Sequence, residues 1–170
     1  QPLLISTSSI ALQGAIIHDY LPFLSKVMMA DGMLDSPLRA VLRKGKSHYV
    51  CDARLMKRLQ TANLDRKNPL AKAALLSMRD HLDLDMAPHL SGYDRERICV
   101  PPTCDCGKTE CRYLCYLDVC ASERYAIQVC NHNLLLADAI HQGSGKRPIL
   151  PDSCAIVMDE AHKLPETARQ

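Results

Sequence analysis

Aromatic residues are scarce in this sequence of 170 residues, which has six tyrosines, one phenylalanine and no tryptophan. Long apolar runs are absent too: none approaches the roughly 20 residues that a membrane-spanning helix needs, so a spanning segment is excluded. No basic region precedes the apolar residues 3–5, which argues against a signal peptide. We therefore expect a cytoplasmic protein with no membrane partner, and we expect it to be a monomer.

A charge imbalance is also absent, because 21 Lys and Arg residues face 19 Asp and Glu residues, giving a net charge of +2. That balance by itself favours no class of partner. Hydrophobic residues make up 47% of the chain, which together with the low net charge excludes a disordered protein. The length fits roughly one domain of about 150 residues.

Cysteine is abundant, with nine residues at positions 51, 99, 104, 106, 111, 115, 120, 130 and 154. An odd total without a secretory signal argues against a disulfide framework. In a reducing cytosol, the crowding of six cysteines between positions 99 and 120 indicates ligation of a metal or an iron–sulfur cluster. The alternative is that some are small buried hydrophobic residues. We favour this for Cys130 and Cys154, which lie in apolar, strand-like runs.

The apolar pattern predicts an α/β domain that is interrupted by an insert. A buried strand at residues 3–5 precedes a helical pattern over residues 10–29, in which Pro22 should produce a kink. The pattern returns to strand, helix and strand after residue 125, and the middle segment differs in composition. We therefore predict one sheet domain formed by 1–38 and 125–170, with 39–124 as a mainly helical, cysteine-rich insert. A chain that opens on a buried strand also suggests a piece of a larger protein.

The apolar strand at residues 154–158 ends on two adjacent carboxylates, Asp159 and Glu160. Ligands of α/β proteins bind at the carboxyl ends of parallel strands. In nucleotide-hydrolysing enzymes, an Asp at this place holds Mg²⁺. A neighbouring Glu can orient or deprotonate the attacking water. The alternative is an acidic turn that follows a strand by chance. Residues 143–146, G-S-G-K, do not match a phosphate-binding P-loop and are predicted to be a surface loop.

The letters of residues 159–162, D-E-A-H, match the DEAH form of the Walker B box of superfamily 2 helicases. Three further segments, in the same order along the chain, resemble the DinG/XPD-type iron–sulfur DNA helicases. Residues 4–13 resemble their motif Ia, and residues 44–51 resemble the basic segment that carries the first cluster cysteine. Residues 130–138 resemble the strand and Asn-His turn by which the chain returns from the insert.

The resemblance implies a fragment of a RecA-like motor domain 1 that carries an iron–sulfur insert and belongs to an ATP-dependent DNA helicase. Such a parent would translocate on single-stranded DNA toward the 3′ end. Asp159, Glu160 and His162 would be its catalytic residues, with Asp159 and Glu160 binding Mg²⁺ and ATP. The fragment should be inactive alone, because Walker A and the second motor domain are missing. The alternative is a non-enzymatic, cysteine-rich nucleic-acid or protein-binding module.

The resemblance also implies a [4Fe–4S] cluster, which is held by four thiolates. The expected ligands are Cys51, Cys104, Cys106 and Cys111. The C-x-C spacing at 104–106 is tighter than the family's, so Cys115 or Cys99 are substitutes. One alternative is a zinc site formed by Cys104, Cys106, Cys111 and Cys115. Another is a vestigial site that holds no metal.

Basic residues are concentrated in the segment 39–58, which holds seven of the 21 Lys and Arg residues and one acid, Asp52. We predict that Lys44, Lys46 and Arg54 contact the phosphates of single-stranded DNA. The alternative is a solvated helix face. The resemblance to motif Ia adds Ser6, Thr7 and Gln13 as nucleic-acid contacts. The candidates for base stacking are Tyr49, Tyr113 and Tyr116, for which core packing is the alternative.

Overall fold

The structure is a computed structural model that describes residues 1–61, 69–104, 111–122 and 124–169. The chain divides into two compact units. We call the first the sheet unit, which consists of Gln1–Lys44 and Val119–Gln170, and the second the helical unit, which consists of Gly45–Asp118. The helical unit lies within the segment 39–124 that the sequence predicts to be an insert.

The sheet unit contains a four-stranded parallel sheet in the order β2-β3-β1-β4. Its strands are β1 (Leu3–Thr7), β2 (Ala40–Leu42), β3 (Ile127–Asn131) and β4 (Ala155–Met158). Ser6 of β1 is in register with Cys130 of β3 on one side and with Met158 of β4 on the other. The three parallel pairings align the carboxyl ends of β1, β3 and β4. The predicted α/β class, with a parallel sheet and a helical insert, is confirmed.

Four helices of the sheet unit are α1 (Ile10–Ala15), α2 (Leu21–Ala30), α7 (His132–Gly143) and α8 (Leu164–Thr167). Ser9 starts α1 by accepting a hydrogen bond from the Leu12 backbone, and Asn131 caps α7 in the same way. A π-helical turn at Ile16–Tyr20 separates α1 from α2, with Pro22 in the first turn of α2. The predicted interruption of this helix therefore occurs one turn ahead of the proline. Proline is tolerated in the first turn of α2 because it has no backbone N–H, and the N–H groups of a first turn have no partner within the helix.

Alternate residues of the strands pack on opposite faces of the sheet. On one face Leu4 and Cys130 form a buried cluster with Leu134 of α7 and with Leu150. On the other face Ile127 and Val129 pack with Leu21 and with several partly buried residues, namely Leu3, Ile5, Ile16, Ile17, Leu38, Ala40 and Leu42. The central strands are thus covered on both sides, which is typical of parallel sheets.

Strand β4 differs from the prediction of a buried strand. Ile156, Val157 and Met158 are 46%, 48% and 45% exposed, and Cys154 is exposed as well. The strand pairs with β1 along one edge, and its side chains on both faces are only about half covered. Apolar composition predicted the strand correctly, but burial also depends on which elements pack against it. The prediction that Cys130 is a buried hydrophobic residue is confirmed, and the same prediction for Cys154 is wrong.

The helical unit contains α3 (Asp52–Thr61), α4 (Pro69–Ser77) and α5 (Gly92–Ile98), together with 3₁₀ turns at Lys46–His48 and Leu84–Met86. Helix α6 (Arg112–Ala121) runs from this unit into the sheet unit. The core of the helical unit is a set of buried apolar residues from α3, α4, α5, the Leu84–Met86 turn and the residues that connect them, namely Val50, Leu55, Ala74, Leu75, Met78, Leu84, Ala87, Leu90 and Ile98. None of the described helices is both long and apolar enough to cross a membrane.

Candidate functional site

Asp159 lies at the carboxyl end of β4, directly beside the end of β1. Its backbone N–H donates to the Ser6 carbonyl oxygen at 2.9 Å, which extends the pairing of the two strands by one residue. Its Oδ2 atom accepts a hydrogen bond from the Thr7 hydroxyl at 3.1 Å. Thr7 is fully buried, so this carboxylate is held by a rigid donor of the sheet.

Glu160 adopts a left-handed backbone conformation, with φ 51° and ψ 40°. Its Oε1 accepts from Lys163 Nζ at 2.8 Å, and its Oε2 accepts from the Ser8 hydroxyl. Lys163 Nζ also donates to Ser8 Oγ at 3.2 Å. The hydrogen bond from Lys163, followed by that from Ser8, lowers the pKa of the Glu160 carboxyl. A non-glycine residue in this backbone region is uncommon, and such residues cluster at functional sites.

These contacts place two carboxylates side by side at the edge of a parallel sheet, each with a hydroxyl donor from the end of β1. Carboxylate oxygens are the ligands that Mg²⁺ prefers, and an ionised Glu can accept a proton from water. His162 lies in the 3₁₀ turn Ala161–Lys163 and is exposed. The structure thus brings Asp159 and Glu160 together with Thr7, Ser8 and Lys163. Of these partners, sequence analysis named only Thr7, and in a different role.

A buried polar pair lies between β1 and the start of α7. Ser6 Oγ is 2.7 Å from His132 Nδ1, and both residues are at most 1% exposed. Burial raises the pKa of the neighbouring Cys130 thiol to about 11, although a hydrogen bond with Ser6 opposes the shift. His132 Nε2 has no hydrogen-bond partner among the described residues. Sequence analysis did not predict the Ser6–His132 pair. The feature that could have indicated it is the Asn-His turn at the end of β3, which contains His132.

The three residues of the motif Ia segment that were predicted to contact nucleic acid are all buried. Ser6 and Thr7 are 0% exposed, and Gln13 is 5% exposed. Gln13 Nε2 donates to the Thr7 carbonyl oxygen at 3.4 Å. The contact of these three residues with nucleic acid stays a prediction. These side chains fix the end of β1, where Asp159 is held.

Two of the three predicted phosphate contacts of the basic segment bind the protein's own backbone. Lys46 is exposed, and its Nζ donates to the Pro102 carbonyl oxygen. Arg54 donates to the carbonyl oxygens of Cys99, at 2.7 Å, and Glu96, at 3.0 Å. Lys44 is half-buried. Arg54 therefore holds a cysteine-bearing segment in place. An arginine with this role cannot be distinguished by sequence from one that contacts a phosphate.

The predicted cluster cysteines lie in the helical unit, where long-range contacts bring three of their backbone segments together. The Cys51 backbone N–H donates to the Ile98 carbonyl oxygen at 2.8 Å, and Val50 forms an antiparallel bridge with Cys99. Arg112 Nε donates to Asp52 Oδ1 at 2.8 Å. This ion pair links the residue after Cys51 to the residue after Cys111. Cys51, Cys99 and Cys111 thus stand at a single junction of the helical unit.

The remaining cysteines of that segment are placed differently. Cys104 and Cys115 are exposed, and Cys106 lies outside the described residues. Across the described part of the chain, no three His, Cys, Asp or Glu side chains converge closely enough to hold one metal ion. This holds for the described members of the zinc alternative, Cys104, Cys111 and Cys115, and equally for those of the expected cluster set, Cys51, Cys104 and Cys111.

The tyrosines that were proposed for base stacking form an aromatic cluster of their own. The Tyr49 ring lies 5.3 Å from that of Tyr113 and 5.0 Å from that of Tyr116, between ring centroids. Tyr49 is 3% exposed, and its hydroxyl is 3.1 Å from that of Tyr116. In this structure the Tyr49 ring packs against the other two, which agrees with the alternative to base stacking, packing of the core.

Comparison with known proteins relates the chain to helicases over nearly all of its length. No protein-family model matches it. It is 29% identical over 177 residues to the ATP-dependent DNA helicase YoaA of Escherichia coli (strain K12). It is 27% identical over 185 residues to the ATP-dependent DNA helicase YoaA of Haemophilus influenzae (strain ATCC 51907 / DSM 11121 / KW20 / Rd). The alignments cover 99% and 98% of this chain and 27% of each relative, so the chain spans about a quarter of their length.

Proposed function

We propose that this chain is part of an ATP-dependent DNA helicase, to which it contributes the carboxylates that act on Mg²⁺–ATP and an insert that holds an iron–sulfur cluster. The carrying observation is the pair Asp159 and Glu160, held at the end of β4 by donors from β1. The relationship to two helicases of the same name supports the proposal. The helicase works as a monomer and moves on single-stranded DNA toward the 3′ end.

The two carboxylates have separate tasks in this mechanism. Asp159 would hold the Mg²⁺ of the nucleotide, because the Thr7 hydroxyl fixes its orientation and occupies only part of its acceptor capacity. Glu160 orients and deprotonates the attacking water. A Glu carboxyl of ordinary pKa is already ionised at neutral pH, and the hydrogen bonds from Lys163 and Ser8 hold this one in place. His162 follows in the same turn and completes the DEAH box.

The cluster ligands that we propose are Cys51, Cys104, Cys106 and Cys111, with Cys99 as the first substitute and Cys115 as the second. The junction supports Cys51 and Cys111 together, and it favours Cys99 over Cys115 because Cys99 lies beside Cys51. Arg54 also lies at this place, with its Nη1 3.8 Å from Cys99 Sγ. When bound, a [4Fe–4S] cluster supplies a redox-active cross-link between distant parts of the chain.

A single substitution tests the nucleotide site in the protein that the complete reading frame encodes. The frame should contain a G-x-x-x-x-G-K-S/T motif, which this chain lacks. Glu160→Gln should retain ATP binding but lower DNA-dependent ATP hydrolysis by roughly 10²- to 10⁴-fold, the usual contribution of general acid–base catalysis. Glu166→Gln, at an exposed residue of α8, is the matched control and should hydrolyse ATP normally.

Equal turnover in the Glu160→Gln variant and the wild type would refute the assignment of the base. For the cluster, anaerobically purified protein should be brown and should contain about four iron atoms per chain, the content of a [4Fe–4S] cube. Cys51→Ser should remove that iron. Colourless protein that holds one zinc ion per chain and retains it in Cys51→Ser would favour the non-enzymatic binding module.

A further inference from the structure

The faces of α3 and α5 in the helical unit form a concave surface in which cations predominate. Its lining residues are Arg54, Lys57, Arg58, Thr61 and Arg97. Arg58 pairs with Asp94, Nε to Oδ1 at 2.6 Å, and Arg54 is engaged by backbone carbonyls. Lys57 and Arg97 are exposed, and neither pairs with a carboxylate among the described residues. Within the described part of the chain, the surface therefore offers two cations with no paired carboxylate beside two fixed guanidinium groups.

An exposed aromatic ring adjoins the same cations. Tyr93 of α5 is 57% exposed. The guanidinium carbon of Arg97 lies 4.4 Å from the centroid of its ring, and that of Arg58 lies 5.3 Å away. With 57% of its surface exposed, Tyr93 leaves area beside these cations that a ligand can cover. Lys57, Arg58, Tyr93 and Arg97 together are called the Tyr93 face below.

We propose that the Tyr93 face binds single-stranded nucleic acid, with phosphate against Lys57 and Arg97 and a base against the Tyr93 ring. Proteins that bind single strands combine a positive groove with aromatic side chains on which bases stack. The inference deepens the proposed function, on which it rests, because it names the surface of the helical unit that meets the strand.

A simpler explanation is that cations complement the negative end of the α3 dipole. It accounts for Lys57 and Arg58, which lie near the described end of that helix. It does not account for Arg97, which belongs to α5, or for the exposed Tyr93 ring, whose centroid lies 4.4 Å from Arg97 and 5.3 Å from Arg58. An acidic protein partner would also fit the cations, but it would not require a flat aromatic surface.

Binding of labelled single strands to the 170-residue chain tests the proposal, with fluorescence anisotropy as the readout. Two probes of about 12 nucleotides, within the usual site size, separate charge from stacking: an oligo-dT strand and an abasic strand with the same phosphates. Arg97→Ala and Lys57→Ala should weaken binding to both probes. Each should also reduce the slope of log affinity against log salt by about 0.7.

Tyr93→Ala should weaken binding to oligo-dT by about fivefold or more, the lower end of the stacking contribution, and should leave the abasic strand unaffected. Tyr93→Phe keeps the ring and should bind oligo-dT like the wild type. Lys72→Ala is the matched charge control, since Lys72 is an exposed lysine of α4 that does not line this surface. Circular dichroism of each variant establishes that the fold is retained.

Three results would overturn the proposal. The first is an equal loss of affinity for both probes in Tyr93→Ala, which would show that no base stacks on the ring. The second is an effect of Lys72→Ala as large as that of Arg97→Ala, which would indicate non-specific attraction. The third is an affinity that no variant changes. The binding readout needs no ATP. If the 170-residue chain binds DNA through this face but the protein of the complete reading frame does not hydrolyse ATP, the helicase proposal is refuted and the site stands.

Discussion

Arg43 Nη1 donates to Gln128 Oε1 at 2.8 Å in the interior of the sheet unit, where the two residues are 3% and 1% exposed. Arg43 Nη2 donates to the Ile149 carbonyl oxygen at 2.9 Å, and Gln128 Nε2 donates to the Cys120 carbonyl oxygen at 2.6 Å. Arg43, which directly follows β2, therefore joins that strand to β3 and to the loop before β4. One of the seven cations of the basic segment is thus a structural residue of the core.

Replacing Arg43 with Ala should lower the free energy of unfolding by about 2–3 kcal/mol, because the Gln128 and Ile149 oxygens would remain buried without a donor. Urea denaturation followed by circular dichroism measures the loss. The control is Arg39→Ala, which removes an exposed cation of the same segment and should change stability by at most about 0.5 kcal/mol. Equal effects of the two substitutions would contradict the structural role of Arg43.

The junction of the helical unit depends on Arg112. Its side chain pairs with Asp52, and it also donates to the carbonyl oxygens of Arg79, at 2.9 Å, and Met78, at 3.1 Å. Arg112→Ala should destabilise the protein by about 1–2 kcal/mol and should lower the iron content of anaerobically purified protein. Arg112→Lys keeps one charge but loses the planar fork, so its iron content should be intermediate. Wild-type iron content in Arg112→Ala would show that the junction does not position the cysteines.

The pKa of Glu160 depends first on Lys163 and then on Ser8. Lys163→Ala should therefore raise the pKa of the Glu160 carboxyl toward its ordinary value, which a carboxyl-detected NMR titration measures. In the wild type, the pairing is present above the ordinary pKa and is lost as the pH falls through the lowered pKa. Lys146→Ala, in the turn after α7, should leave the titration unchanged. An unshifted Glu160 in Lys163→Ala would mean that the two side chains do not interact in solution.

Cys130 and Cys154 should react differently with an alkylating reagent at neutral pH. Cys130 is buried with its pKa raised from 9.0 to about 11, so its thiol stays protonated and inaccessible, whereas Cys154 is exposed. Mass spectrometry of native protein should find label on Cys154 but not on Cys130, and unfolding in urea should expose both. The raised pKa also predicts that stability falls as the pH rises from about 9 to about 11, because the unfolded thiol ionises first. Rapid native labelling of Cys130 would refute its burial.

Much of the sheet could be predicted because its signals are local. The runs that became β1, β3 and β4 are apolar, short and bounded by polar residues. Strand β2 escaped detection because Ala40–Leu42 is only three residues long and stands among basic residues. Its strand conformation comes from pairing with β3, more than 80 residues away. Secondary structure that depends on a distant partner leaves little trace in its own residues.

The same distinction applies to the site. Asp159 and Glu160 could be found because a strand and the carboxylates that follow it are adjacent in the chain. Ser8 is 152 residues from Glu160, and that contact depends on the register between β1 and β4. Among the basic residues, charge alone does not distinguish the buried Arg43 from the exposed Lys57. Tyr93 could not be singled out from the sequence, because a stacking surface is defined by the solvent exposure of its ring, and exposure depends on the fold.

The parallel register between β1 and β3 has a consequence for biosynthesis. The first strand leaves the ribosome roughly 120 residues before its partner, a delay of about 6–24 seconds at roughly 5–20 residues per second. The helical unit is one continuous stretch, so it can fold while β1 still waits. During that interval the unpaired, apolar β1 is open to aggregation or to a chaperone. Within this chain, the helical unit is therefore synthesised in full before the sheet is, and Asp159 and Glu160 are made long after the Thr7 and Ser8 hydroxyls that donate to them.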